Sequence, residues 1–212
     1  MILPRESHAI PLLDLTEVPH LGTIAFCICF VIAVCITAQK SFEKFGGSNK
    51  KVLAAYITVP TVSIILLMLR FGESMRTAKG LILVLLFLYA SYSDIRTRKC
   101  GDLLHVFIIL TAFIGIEISD LPQLLIAGAY ILVFMLGTSV LFKERIGGAD
   151  IKFSAACAFL LGAENGLLGL IVGLTAAVCI NVVLRFIKHK DHHAGFPMIP
   201  YIAAGFFAAY FI

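Results

Sequence analysis

With 212 residues, 60% of them hydrophobic and only 14% charged, the chain has too much apolar surface for a water-soluble domain of its size and reads as a multi-pass membrane protein. The net charge of +4 sits in short segments between apolar runs, with no basic stripe interleaved with aromatics, which excludes a nucleic-acid binder and makes the basic excess a matter of topology. Of the six cysteines, five lie inside apolar runs and none forms a CxxC pair, so they read as small buried hydrophobes rather than metal ligands or disulfide partners.

Along the chain, the first twenty residues hold Glu6, Asp14 and Glu17 and lack a basic start before an apolar stretch, so the run from Leu21 is expected to be a retained anchor and not a removable signal. Apolar segments follow at Leu21–Ala38, Val52–Leu69, Gly80–Ser93, Leu103–Ile118, Pro122–Phe142, Asp150–Gly162, Gly166–Phe186 and Phe196–Ile212. Spanning a bilayer takes about 20 apolar residues, so the expected fold is an all-α, polytopic bundle of about eight transmembrane helices. Two of the segments are short. Gly80–Ser93 and Asp150–Gly162 would each cover only about 20 Å of a hydrocarbon core near 30 Å.

The loops orient the bundle, because cytoplasmic loops collect Lys and Arg. The first (Lys40, Lys44, Lys50, Lys51), third (Arg96, Arg98, Lys99), fifth (Lys143, Arg145, Lys152) and seventh (Arg185, Lys188, Lys190) are basic, whereas the fourth and sixth carry only Asp120 and Glu164. This alternation puts the odd loops in the cytoplasm. The second loop breaks it, with Arg70, Arg76 and Lys79 against Glu73.

Asp94 and Asp150 bound the two short segments on the cytoplasmic side. A carboxylate at hydrocarbon depth costs about 2.5 to 3.5 kcal/mol on insertion scales, so two of them call for a function. Gly147 and Gly148 allow the backbone to bend and approach closely just before Asp150, which opens its helix at the positive end of the dipole. Irregular backbone at this depth implies a wet pocket within protein. Two carboxylates held close in such a pocket cannot both ionise readily, and a shared proton is the basis of acid–base catalysis without metal or covalent nucleophile. Asp102 is expected to cap the helix that follows, and His189, His192 and His193 to lie in a solvated loop and not at a metal.

Three segments occur in an order that resembles the type IV prepilin peptidases, which are GxGD-type membrane aspartic proteases: Ser93-Asp94-Ile95-Arg96-Thr97-Arg98-Lys99, then Gly147-Gly148-Ala149-Asp150-Ile151-Lys152, then Pro197-Met198-Ile199-Pro200-Tyr201-Ile202. The resemblance covers a six-helix core, residues 80–212, preceded by an N-terminal segment, residues 1–79, with two helices. It implies Asp94 and Asp150 as catalytic residues, with Gly147, Gly148, Ala149, Lys152, Arg96, Pro197 and Pro200 as supporting motif positions. It implies no metal and no cofactor. It further implies a bacterial inner-membrane enzyme whose partners are the lipid bilayer and a prepilin or pilin-like precursor, cut after a glycine at the cytoplasmic face.

The chain departs from the family pattern in three places. Ala149 stands for the second glycine of GxGD, and Cys100-Gly101-Asp102 stands where the family has an Ile-Pro-Asn turn. The loop from Gln39 to Lys51 is short and lacks the cysteine-bearing insert of many relatives, so the resemblance implies peptidase activity without N-methylation. Two other readings stay open on the residues alone. One is a transporter with paired acidic sites, for which the two halves show no convincing repeat; the other is a related GxGD protease acting on a different membrane substrate.

Overall fold

The computed structural model describes residues 30–39, 41, 50–141, 146–188 and 196–212. Most of the first loop, residues 142–145 of the fifth, and the His189, His192 and His193 tract lie outside the described residues. The described residues form helices and no strand: α1 (Phe30–Gln39), α2 (Lys50–Phe71), α3 (Met75–Thr97), α4 (Asp102–Ala112), α5 (Leu121–Leu141), α6 (Gly148–Leu161), α7 (Ala163–Lys188) and α8 (Ile199–Ala209), with a 3₁₀ turn at Ile118–Asp120 leading into α5. The fold is a helical membrane bundle. Four stretches are long and apolar enough to cross a bilayer: Val52–Phe71, Met75–Thr97, Ile118–Leu141 and Ala163–Leu184.

One of the two helices expected to be short is not. α3 runs 23 residues, because Ser74 caps it early, its Oγ accepting the Thr77 N–H at 3.3 Å, and because the polar residues at both ends continue the helix beyond the apolar stretch. Asp94 therefore lies within α3 and not past its end. The second loop shrinks to Gly72–Ser74, with Gly72 closing α2 in the left-handed region at φ +59°. α6 keeps its short length of 14 residues, and its surroundings explain how so short a helix can sit in a membrane. It packs against α4, α5, α7 and α8, and Phe153, Ser154, Ala156, Cys157 and Ala158 are all buried, so its middle is enclosed by protein rather than lipid.

Hydrocarbon solvent provides no hydrophobic drive between helices, so association rests on close packing at small residues. At Gly166 a Cβ would come 2.9 Å from Ala158 Cα, which sets α7 against α6. At Gly173 it would come 2.7 Å from Ile202 Cα, which sets α7 against α8. α8 is thereby wedged between α7 and α3, with Ile199, Ile202 and Phe206 wholly buried. The first helices join through Phe30 and Val34 of α1, Leu67 of α2 and Leu81 of α3, and at their other end through Tyr56, whose hydroxyl donates to Ser41 Oγ at 3.1 Å and whose ring meets Tyr92 edge-on.

Replacing Gly173 by valine forces α7 and α8 apart. The expected cost is about 1–3 kcal/mol or more of overpacking strain, read as a lower unfolding midpoint in detergent. An unchanged midpoint would contradict the close helix approach.

Candidate active site

The site forms where α3 ends, α6 begins and α8 begins. α3 stops just after Asp94 for local reasons. Arg98 adopts the left-handed conformation at φ 55° and its N–H closes onto the Asp94 carbonyl at 3.0 Å, while the Ser93 and Thr97 hydroxyls donate to the Lys99 carbonyl at 2.7 and 3.2 Å. Side-chain hydroxyls thus build the turn that the Ile-Pro-Asn sequence would have supplied. Gly101, not Asp102, occupies the cap position of α4.

The Asp94 side chain is only 7% exposed. Its Oδ2 accepts the backbone N–H of Ile199 at 3.1 Å, a bond between residues 105 positions apart in sequence. Ile199 is the first residue of α8, where N–H groups have no partner within the helix, and Pro200 in the first turn fixes the backbone for helix entry. The Pro197–Pro200 motif therefore acts through a main-chain donor aimed at a carboxylate. The prolines suggest a helix start in the sequence, but the residue that does the work is the isoleucine between them.

Asp150 lies half-buried in the first turn of α6. Its N–H bonds the Gly147 carbonyl at 2.9 Å, and its carboxylate folds back over Gly147, where a Cβ would lie 2.6 Å from Oδ2. A side chain at Gly147 would therefore push the Asp150 carboxylate out of this position. At Gly148 a Cβ would meet nothing within 4 Å, and the half-buried Ala149 packs on the core without needing to be glycine. Asp94 lies near enough for its charge to bear on Asp150. Cys100 sits near both: burial pushes its thiol up to about 11, and the carboxylates of Asp94, Asp150 and Asp102 add to that push. In the sequence, Cys100 stands out only as the first residue of the Cys100-Gly101-Asp102 segment that replaces the family turn.

The supporting cations are arranged otherwise than expected. Lys152 pairs with Asp102 at 2.8 Å, both side chains largely in solvent, which ties α6 to α4 and holds the Asp102 carboxyl below the usual carboxylate range. Arg96 lies on Tyr92, its Nε donating to the hydroxyl at 3.4 Å and its guanidinium 5.8 Å from the ring centroid. The cation whose charge reaches Asp94 is Arg98. Its position four residues on from Asp94, one helical turn, was the available signal.

Residues 81–186, half of the chain, match the model of the type IV leader peptidase family. The chain belongs to that family. No curated protein and no solved structure matches it significantly. The family match makes this multi-pass membrane protein a protease, and the matched span includes Asp94 and the Gly147–Asp150 run. It ends before Pro197–Pro200, which the Ile199 N–H connects to the same site.

Within this family member, Gly147→Ala and Gly148→Ala should behave differently. The first displaces the Asp150 carboxylate and is expected to lower proteolysis on the order of 100-fold, as misplacing a reacting group by about an ångström does. The second should leave activity within about twofold, since surface substitutions in open space usually change little. Equal effects in a cleavage assay would remove the assigned role of Gly147.

Proposed function

We propose that the chain is an aspartic endopeptidase that removes the leader peptide of type IV prepilins or pilin-like proteins, cutting after a glycine at the cytoplasmic face of the bacterial inner membrane. Asp94 and Asp150 are its catalytic pair. The observation that carries this reading is the buried Asp94 carboxylate at the end of α3, held through Oδ2 by the Ile199 N–H, within a leader peptidase family match that also spans Asp150 and its glycine approach. That hydrogen bond leaves the other oxygen of Asp94 for the reaction.

In the reaction, the ionised carboxylate takes a proton from a water between the two side chains, and the oxygen of that water forms a bond to the scissile carbonyl carbon. The protonated partner gives its proton to the carbonyl oxygen. Collapse of the tetrahedral intermediate breaks the C–N bond, with a proton passing to the departing amine and the dyad returning to its one-proton state. Either carboxyl can begin as the acid, because the titrating protons belong to the pair. The residues named accomplish the hydrolysis without methyl transfer.

An apolar groove of about 490 Å³ supports the substrate assignment. It lies between α2, α3 and α8, lined among others by Val62, Phe87, Ala204 and Phe207, and it reaches Ser91, three residues before Asp94, and Pro200, beside Ile199. A precursor with an apolar helical stem can lie in this groove and present the peptide just before that stem to the dyad. The basic loops flanking the dyad stand at the cytoplasmic interface, where the leader would emerge.

Asp94→Asn and Asp150→Asn, made separately, should each reduce cleavage of a pilin precursor by about 10²- to 10⁴-fold. Full activity of either would end the dyad assignment, and cleavage elsewhere than after a glycine would point to another class of membrane substrate. Val62→Trp, which fills the groove away from the carboxylates, is expected to slow processing of the full membrane-anchored precursor. It should spare a short peptide that spans only the cleavage site. Parallel loss on both substrates would show that the groove does not seat the stem.

A further inference from the structure

The second loop, which breaks the charge alternation, has a structural counterpart at the end of the bundle away from the dyad. Arg70 at the close of α2, with Arg76 and Lys79 in the first turns of α3, lines a single cavity of about 730 Å³. Met75 and Asp94 lie near opposite ends of α3, about 28 Å apart at the helical rise, so this cavity is separate from the site described above.

Three cations around one cavity repel each other, and those of Arg76 and Lys79 are near enough for their charges to interact. Among the described residues no acidic side chain forms an ion pair with them. The one ion pair among the described residues is Lys152–Asp102, at the other end of the bundle. Asp120 is on the cavity wall without an ion pair, and Glu73 does not line it. Lys79 is half-buried, and its ammonium donates to the Ala112 carbonyl at 3.0 Å, with capacity for two further acceptors. Arg70 uses Nε on the Phe211 carbonyl at 3.3 Å, which leaves its outer guanidinium nitrogens for an oxyanion. The rest of the wall is mixed: Ser74, Asp120 and Asn165 share it with an apolar part that includes Phe71, Leu124 and Leu161.

We infer that this cavity seats the anionic headgroup of a phospholipid, the three cations holding the phosphate and the apolar wall the start of the acyl chains. A free phosphate shares the charge chemistry but gains nothing from the apolar side, whereas a lipid satisfies both and is supplied by the surrounding bilayer. On the topology given by the other loops, the lipid belongs to the outer leaflet. The basic second loop is then a binding feature and not a topology signal. This inference does not depend on the protease mechanism.

The test uses the full chain in detergent, titrated separately with phosphatidylglycerol, phosphatidylcholine and inorganic phosphate, with binding read by native mass spectrometry and by the unfolding midpoint. Phosphatidylglycerol should bind and raise the midpoint, and the other two should not. Arg76→Gln combined with Lys79→Gln should weaken phosphatidylglycerol binding on the order of tenfold per cation removed. If that double variant does not fold, Asp120→Asn, at an exposed position on the cavity wall, should strengthen binding several-fold. Equal affinity for the zwitterionic lipid, unchanged binding in the variant that folds, or inorganic phosphate matching phosphatidylglycerol would each overturn the assignment.

Discussion

A carboxylate buried in the last turns of a membrane helix needs a hydrogen-bond donor in place of water, and in this chain the donor is the first N–H of α8. Much of the site depends on that arrangement. For Ile199 to reach Asp94, α8 must begin at the level where α3 ends, which the Pro197–Pro200 sequence secures locally. α8 must also be held close to α7, which requires a bare backbone at Gly173. Glycines far from the dyad therefore bear on its geometry. A substitution there would loosen the bundle and move the Asp94 side chain together.

Asp150 is held differently, by its own turn. Its carboxylate folds over Gly147 within three residues, so its placement depends on local backbone and on the burial of α6 among four other helices. The two halves of the pair thus rest on unlike supports, one long-range and one local. The local support is what makes the glycine run recognisable as a motif, whereas the long-range support spreads over Pro, Ile and Gly positions that carry no chemistry themselves.

Charge is distributed along the bundle by function at each end. At the dyad end the basic residues are drawn off to other partners, Lys152 to Asp102 and Arg96 to Tyr92, leaving Arg98 as the cation that reaches Asp94. At the far end Arg70, Arg76 and Lys79 line one cavity with no ion pair among the described residues. A count of basic residues per loop treats these groups as equivalent. The directions taken by their side chains separate them.

By itself the sequence determined the all-helical membrane class, the order of the helices and the family, because apolar run length and short motifs are local properties. It misjudged α3 as short, since a helix continues through polar residues once Ser74 caps it, and apolar length is then a poor measure of helix length. It assigned Asp102 a capping role that Gly101 holds, and the resemblance gave Arg96 and Lys152 as motif positions without saying that they pair with Tyr92 and Asp102. Only the tertiary structure decided that Ile199 holds Asp94, that the Asp150 carboxylate lies over Gly147 and not over Gly148, and that three cations share one cavity. Each of these rests on contact between segments or on the direction of a side chain, and neither is written in residue spacing.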